Sequence, residues 1–277
     1  MSINQGSNRS SRITAIILLL LANSQVDSVA ARSVNGVAAK PAAISKSAPT
    51  RAMPDFGSMR DVKTKKAAFF EYMKSVIDAE NRKIAADRLR IKQLSREATL
   101  NKTDKAWLTS MAKKYRLSLA KKLTPQWYTA LLERVDTLPV SLALAQAANE
   151  SAWGTSRFAR KGNNLFGQWC FSKGCGLVPM QRNKGASHEV RKFDSVAASV
   201  AACFLNLNSH TRYAGLRALR ARARREDQPV TGIYLSPGLV RYSRRGEAYV
   251  RELVAIITGN GLEKYDTLST ASANPEA

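Results

Sequence analysis

The sequence predicts a mainly α-helical protein that is interrupted by one small β lobe. Apolar residues recur every three or four positions over much of the segment 61–258, which is the spacing of amphipathic helices. Between Gly162 and Phe193 the pattern changes, because six glycines and prolines break the chain into short apolar runs such as 177–180 and 189–193. Short runs of this kind predict loops and a β-hairpin.

The first 30 residues are typical of a secretory signal peptide. Arg9 and Arg12 precede ten mostly apolar residues, 13–22, and small polar residues follow. This apolar run is shorter than the roughly 20 residues that a membrane-spanning helix needs. We therefore expect an exported protein of the periplasm or cell envelope, with the leader removed after Ser24 or Ala30.

The chain is strongly basic. It carries 44 Lys and Arg against 21 Asp and Glu, which gives a formal net charge of +23. Such an excess predicts an anionic partner, for which nucleic acid, acidic lipid and the polyanions of a cell wall or outer membrane are candidates. Because export would separate the chain from cytosolic nucleic acid, we expect an anionic envelope surface as partner and no nucleic acid.

The segment between the leader and the main domain divides into two parts. Residues 31–58 are rich in Ala, Ser, Pro and Lys without a sustained apolar period, which predicts a disordered spacer. Helical spacing begins near Asp61 and predicts a helical N-terminal region over 59–124. Its apolar positions are Phe69, Phe70, Met73, Val76, Ile77, Ile84, Leu89, Ile91, Leu94, Trp107, Leu108, Met111, Tyr115 and Leu117. Two or three helices would account for this pattern.

The main domain is predicted over 125–268, followed by a disordered tail over 269–277. A short helix is expected from Trp127 to Val135, and Pro139 begins a second one that runs towards Glu150. The alanines of this second helix allow neighbouring elements to enclose it tightly. Further helices are expected after Asp194 and Ser195, which offer an N-cap, and over about 213–225 and 246–258.

Five arginines fall within the helix predicted over 213–225. We expect them to form a solvated basic face rather than a specific ligand cluster. They are Arg217, Arg220, Arg222, Arg224 and Arg225.

The chain contains three cysteines. Four residues separate Cys170 from Cys175, and in an oxidising compartment we expect these two cysteines to form a disulfide, whereas Cys203 lies in an apolar stretch and is expected in the core. His188 and His210 are the only histidines, and neither has the short fixed spacing of common zinc motifs. We therefore expect no metal and no cofactor.

Glu150 is the carboxylate with the most suggestive setting. It follows an apolar, alanine-rich helix and precedes Trp153, so that partial burial could raise the pKa of its carboxyl and keep it protonated near neutral pH. Such a group could donate a proton to a glycosidic oxygen. A glutamate near a helix end can equally be an ordinary surface residue or a cap, and the residue pattern alone leaves both interpretations open.

Two neighbouring motifs resemble the glucosaminidase family of bacterial wall hydrolases. These are residues 145–156 (AQAANESAWGTS) and 162–167 (GNNLFG), and residues 169–171 (WCF) with 173–179 (KGCGLVP) are similar to a branch of the family that has the same cysteine pair. The resemblance covers roughly residues 53–265. It implies a lysozyme-like helical fold and cleavage of the β-1,4 bond after N-acetylglucosamine in the glycan strands of peptidoglycan.

The resemblance also implies catalytic roles for individual residues. Glu150 matches the general acid of the family. Glu189 is the best match to a second acidic residue on the β lobe, and Asp194 is its local rival, although Asp194 also suits the role of an N-cap. A tyrosine near the end of the family domain faces the reacting sugar, and here Tyr242 is the first choice and Tyr249 the second.

Five residues are expected to bind substrate in the groove that the resemblance implies. They are Asn163, Asn164, Phe166, Trp153 and Tyr249. Amide groups can bind N-acetyl groups, and aromatic rings can support sugar rings. The alternatives are a Gly-Asn turn for the asparagines, and for the tyrosines packed rings with hydroxyls bonded to the backbone.

Two mechanisms and three functional classes remain open at this point. After protonation by Glu150, either Glu189 positions a water molecule or the acetamido oxygen of the substrate attacks the anomeric carbon. A lytic transglycosylase would share the fold and a lone glutamate acid. A noncatalytic wall-binding protein would keep the groove without the chemistry.

Overall fold

The computed structural model describes residues 52–180, 182 and 185–266. The predicted signal peptide, the spacer up to residue 51 and the predicted tail over 269–277 lie outside these residues. The described residues all belong to one compact unit.

The described chain is mainly helical, with one small antiparallel sheet, as predicted. Its α-helices are α1 (Val62–Leu94), α2 (Lys102–Lys114), α3 (Pro125–Arg134), α4 (Val140–Ser151), α5 (Arg157–Gly162), α6 (Val196–Ser209), α7 (Ala214–Arg225), α8 (Gly232–Leu235) and α9 (Glu247–Gly259). Short 3₁₀ helices span Thr211–Tyr213 and Ser236–Leu239. The strands are β1 (Trp169–Cys170), β2 (Gly176–Leu177) and β3 (Glu189–Arg191), in the order β1-β3-β2.

Side-chain caps explain where several helices begin. The hydroxyl of Thr124 accepts a hydrogen bond from the backbone N–H of Trp127, and Pro125 occupies the first turn, where its missing N–H costs nothing. At α6 the cap is Ser195, whose hydroxyl accepts from the N–H of Ala198, while Asp194 is exposed. The cap therefore falls on the second residue of the predicted pair, and the alternative role suggested for Asp194 goes to its neighbour.

Helix α4 lies at the centre of the fold. All of its residues from Val140 to Ala148 are buried, and it packs against α1, α8 and α9. Its alanines make these close approaches feasible because a methyl group leaves room for neighbouring backbone. The long helix α1 crosses α3, α4 and α6, so the N-terminal helical region contributes to the same core as the main domain.

The last residues of the predicted spacer are folded, contrary to the prediction of disorder over 31–58. Phe56 is 1% exposed and packs edge-to-face against Phe69 and Tyr72 of α1. One aromatic side chain among small polar residues does not create a periodic signal, yet burying it stabilises the segment by roughly 2–3 kcal/mol. The folded chain thus includes residues 52–58.

Helix α7 is not the uniformly solvated basic face that we predicted. Arg217 and Arg220 are 7% and 1% exposed, respectively. The guanidinium of Arg220 donates hydrogen bonds to the backbone carbonyls of Glu133, Asp136 and Thr137, and the carboxylate of Asp136 lies 3.5 Å from it. The reason is that the carbonyls at the end of α3 need donors, and arginine supplies several in a rigid fork.

None of the helices in the described part of the chain combines the length and the apolar character that a membrane crossing requires.

Candidate active site

The small β lobe is held together by a disulfide and by one buried carboxylate. Cys170 and Cys175 are joined, with their Cα atoms 6.1 Å apart. The side chain of Glu189 accepts hydrogen bonds from the backbone N–H groups of Gly174, at 2.9 Å, and Gly176, at 2.8 Å. Gly176 is required here because a Cβ atom would lie 2.0 Å from the carbonyl oxygen of Val190.

A cavity of about 840 Å³ opens between this lobe, the end of α6 and the segment that leads into α9. It is large enough for several sugar units of a glycan. Its lining residues are Glu150, Phe166, Gly167, Gln168, Trp169, Phe171, Asn206, His210, Arg212, Tyr213, Arg241, Tyr242, Ser243, Arg244 and Arg245.

Glu150 is the only carboxylate among the described residues that line this cavity. It is half-buried in the last turn of α4, and burial raises the pKa of its carboxyl above the ordinary value. A hydrogen bond with Tyr249 and the positive charge of Arg245 oppose this effect but do not cancel it. The arrangement suits a carboxyl that holds a proton at higher pH than an exposed glutamate does.

The chain makes an abrupt turn directly after Glu150. Ala152, Trp153 and Gly154 all have positive φ values, of 51°, 59° and 74°. For the two residues with a side chain this conformation costs roughly 1–2 kcal/mol each. Ser151 stabilises the turn, because its hydroxyl donates to the carbonyl of Ala147 and accepts from the N–H of Gly154, at 2.6 and 2.7 Å.

Gly167 brings a second backbone segment close to the carboxylate. A Cβ atom at this position would lie 3.0 Å from Oε2 of Glu150, and the residue has a φ of +61°. Both features favour glycine. The preceding residue, Phe166, is 1% exposed, and its carbonyl accepts a hydrogen bond from the hydroxyl of Tyr242 at 2.8 Å.

Tyr249 is completely buried, and its hydroxyl forms a hydrogen bond with the carboxylate of Glu150. The amide of Gln146 donates to the hydroxyl of Tyr249 at 3.3 Å, which directs the hydroxyl proton towards the carboxylate of Glu150. The ring of Tyr242 stacks on that of Tyr249, with the ring centroids 5.4 Å apart and the planes 4° from parallel. Of these two tyrosines, Tyr242 lines the cavity. Tyr249, which we predicted to bind substrate, contacts Glu150 instead.

Replacing Tyr249 with Phe should move the alkaline limb of the pH–rate profile to higher pH. The hydroxyl of Tyr249 stabilises the ionised form of Glu150, so its removal should raise the pKa of that carboxyl further. A general acid is lost as the pH rises through its pKa, and a higher pKa extends activity upwards. The profile of kcat/KM for glycan cleavage measures this shift, and an unchanged or lowered limb would contradict the assigned contact.

A second acidic residue, Glu252 in α9, lies close to Glu150 without lining the cavity. It forms an ion pair with Arg245 and accepts a hydrogen bond from the amide of Asn149 at 3.4 Å, and its charge contributes to the raised pKa of Glu150. Glu252 was not among the residues predicted from the sequence. Its position three residues after Tyr249, on the same helix face, is the signal that could have found it.

Glu189, which we expected to be the second catalytic carboxylate, does not line the cavity. Hydrogen bonds from the N–H groups of Gly174 and Gly176 lower the pKa of its carboxyl, which is therefore ionised and occupied. These contacts give Glu189 a structural role in shaping the disulfide loop. They do not direct it towards Glu150.

Replacing Glu189 with Gln should therefore affect stability more than catalysis. One amide oxygen cannot replace two carboxylate oxygens that accept from two N–H groups. We expect a lower melting temperature and faster proteolysis of the lobe, with a loss in kcat below about tenfold, whereas losing a catalytic base costs about 100- to 10,000-fold. The exposed Glu97 provides a matched Glu→Gln control, and a kcat loss of the larger size would restore Glu189 as a catalytic residue.

Three other residues that we predicted to bind substrate lie outside the cavity lining, namely Asn163, Asn164 and Trp153. The side chain of Asn164 donates to the carbonyls of Gln168 and Arg191, and that of Asn163 donates to the carbonyl of Phe193. Both asparagines therefore fix the loop that carries Phe166 and Gly167, as in the alternative of a Gly-Asn turn.

Trp153 packs against α1 rather than facing the cavity. Its ring meets those of Phe69 and Phe70 edge-to-face, at 5.8 and 5.2 Å between centroids. The N-terminal helix thus covers the turn that follows Glu150, and the contacts of Trp153 give it a packing role there.

The described residues contain one group with the composition of a metal site, namely Cys170, Cys175 and Glu189. The two sulfur atoms are bonded to each other and are not thiolates, and the carboxylate already accepts two backbone hydrogen bonds. The donor set therefore does not fit a metal ion.

Most of the chain is similar in sequence to known proteins. The family model described as mannosyl-glycoprotein endo-beta-N-acetylglucosaminidase, or glucosaminidase, matches residues 125–262, beginning at the first residue of α3. Protein bax of Escherichia coli (strain K12) is 34% identical over 214 residues, which make up 77% of this chain and 76% of that protein. No solved structure matches the chain. The chain therefore belongs to the glucosaminidase family of glycan-cleaving hydrolases.

Proposed function

We propose that this protein is an exported hydrolase that cleaves the β-1,4 bond after N-acetylglucosamine in peptidoglycan, with Glu150 as the general acid. The observation that carries the proposal is a half-buried carboxyl with a raised pKa on the wall of a cavity of about 840 Å³. Membership of the glucosaminidase family supports the nature of the bond. The predicted signal peptide, the net charge of +23 and the disulfide support a site of action in the cell envelope.

In the proposed mechanism Glu150 protonates the glycosidic oxygen while positive charge develops on the departing sugar. Its other contacts prepare it for this step. Tyr249 fixes the orientation of the carboxyl, and the backbone at Gly167 closes one side of it. Exclusion of water from this side keeps the proton on the carboxyl until the bond breaks.

The neighbouring acetamido group is our choice for the second step. A hydrolase that uses a protein base or nucleophile needs a second carboxylate facing the same sugar. Among the described residues the cavity offers no second carboxylate, since Glu189 and Glu252 are engaged elsewhere. Attack of the acetamido oxygen on the anomeric carbon requires no such residue. Water then opens the oxazolinium ion that forms as the protonated sugar departs, and its proton returns to the carboxylate of Glu150. Tyr242 lines the cavity, but its hydroxyl is engaged, because it donates to the carbonyl of Phe166.

Two exposed aromatic side chains on the β lobe are suited to bind the glycan. Trp169 is 53% exposed and its ring stacks on that of His188, with 4.1 Å between centroids, while Phe171 is 71% exposed. Exposed rings at the rim of a cavity provide flat apolar faces for sugar rings. We assign this role to them in place of Trp153 and the two asparagines.

Mass spectrometry of digested muropeptides tests the proposal. Products that end in reducing N-acetylglucosamine are expected. A lytic transglycosylase also needs only a single carboxylate in the cavity. Its products would carry 1,6-anhydro-muramyl ends. A noncatalytic wall-binding protein would bind the same strands and release nothing. Either of these two results would overturn the proposal.

A further inference from the structure

One wall of the cavity carries an unusual concentration of positive charge. Arg212, Arg241, Arg244 and Arg245 line it together, and we call this set the cationic wall. Arg212 lies in the first 3₁₀ helix, which follows α6, whereas the other three belong to the segment between the second 3₁₀ helix and α9. Glu150 is the only acidic residue of the described lining and holds its proton more tightly than an exposed glutamate.

Most of this charge has no partner within the described chain. Arg245 is paired with Glu252. In residues 52–180, 182 and 185–266, no carboxylate lies within ion-pair distance of Arg212, Arg241 or Arg244. All three are exposed, and the guanidinium of Arg212 reaches only a backbone carbonyl, that of Arg241, at 3.4 Å.

A neutral glycan would gain little from such a wall. A polymer of N-acetylglucosamine offers hydroxyl and amide groups, and the aromatic side chains Trp169 and Phe171 already suit its rings. Guanidinium groups instead fit carboxylates, which they can bind with two parallel hydrogen bonds. The peptides attached to the sugars of a bacterial cell wall carry free carboxylates.

We propose that the cationic wall binds carboxylates of the peptide substituents, so that the cavity prefers peptide-bearing, anionic strands over neutral ones. This inference rests on the proposed function and specifies its substrate. The sugar chain would lie against the aromatic side chains of the lobe, with its reacting bond at Glu150. The acidic substituents would project onto Arg241 and Arg244, which makes these two residues determinants of specificity.

Cosedimentation with insoluble peptidoglycan tests the inference without any need for catalysis. The protein used is the full chain with Glu150→Gln, at about 0.15 M salt, where distant surface charges are largely screened. The two probes are native sacculi and sacculi whose carboxylates have been converted to neutral methylamides. We expect about tenfold weaker binding to the amidated sacculi.

Adding Arg241→Gln and Arg244→Gln should reduce binding to native sacculi by about tenfold and leave binding to amidated sacculi unchanged. Arg82→Gln with Arg225→Gln is the matched control, because it removes the same charge from exposed residues of α1 and α7 outside the cavity. Equal binding to both kinds of sacculi overturns the inference. So does an undiminished affinity of the Arg241 and Arg244 variant, or an equal loss in the control.

The outcome for the proposed function is read separately. If wild-type protein distinguishes the two kinds of sacculi but releases no reducing N-acetylglucosamine from either, the proposed hydrolysis fails and the carboxylate site stands. If it cleaves both with the same KM, the hydrolysis stands and the carboxylate site fails.

Discussion

Replacing Glu150 with Gln is expected to lower kcat/KM on peptidoglycan by about a thousandfold, within the range that general acid catalysis supplies. Glutamine is almost the same size and can still accept a hydrogen bond from Tyr249, but it has no acidic proton to transfer. Without protonation the departing sugar would leave as an alkoxide, which raises the barrier. The rate of appearance of new reducing ends measures the effect.

Glu247→Gln is the matched control for this substitution. Glu247 is exposed in the first turn of α9 and does not line the cavity. Its replacement should leave kcat/KM unchanged. The Glu150 variant should keep the melting temperature of the wild type or exceed it, because a partly desolvated carboxyl is removed. A Glu150 variant with more than a tenth of wild-type activity would contradict the assignment.

The largest effect on stability is expected at Asp136, far from the candidate active site. Its carboxylate is 2% exposed and lies 3.6, 3.5 and 2.6 Å from Arg88, Arg220 and Arg224. Asp136→Asn would leave these guanidinium groups without a counter-charge, with the largest effect at Arg220, whose side chain is 1% exposed, whereas that of Arg224 is 37% exposed. Breaking a buried ion pair in this way costs about 3–5 kcal/mol. Urea unfolding of the two proteins measures the difference in the free energy of unfolding.

The pH dependence of this effect has a defined sign. Burial alone would raise the pKa of Asp136, but the three arginines outweigh it and hold that pKa below the ordinary value of 3.8. The stabilisation is therefore complete above that ordinary value and is lost as the pH falls through the lower, folded-state pKa.

Asp227→Asn, at an exposed position with φ of 48°, is the control for Asp136→Asn. A cost below about 1 kcal/mol for Asp136→Asn at neutral pH would contradict the account, since surface pairs have that value.

Local patterns were sufficient to predict most of the helices. The spacing of apolar residues located α1, α4 and α7, and the helix expected from Trp127 to Val135 corresponds to α3 within two residues at each end, because caps and periodicity act over a few neighbouring residues. The four-residue helix α8 and the two 3₁₀ helices were not predicted. They are too short to create a period of their own.

Contacts between distant parts of the chain were harder to predict. Arg220 appeared as one of five similar arginines, and nothing near it indicates Asp136, which lies 84 residues earlier. The same applies to Gln146 and Tyr249, whose hydrogen bond joins residues 103 positions apart. Burial of these side chains depends on how α4, α7 and α9 pack, and a local pattern does not contain that information.

The candidate site shows the same division. Glu150 was singled out because its motif lies in one continuous segment. The resemblance also indicated Glu189 and the asparagines, but here their side chains bind the backbone of the lobe and of the 162–168 loop. Arg241 and Arg244 were passed over because exposed arginines are common in a chain with a charge of +23. Only their convergence on one cavity wall distinguishes them.

Digestion of peptidoglycan in heavy-oxygen water tests the central claim most directly, with the products reduced at once to prevent exchange at the new ends. If Glu150 is the acid of a hydrolase, the wild type should place one atom of oxygen-18 on each new reducing N-acetylglucosamine end, and Glu150→Gln should yield almost none of these products. Ends that contain no oxygen-18 and carry a 1,6-anhydro ring, or equal yields from the two proteins, would contradict the claim.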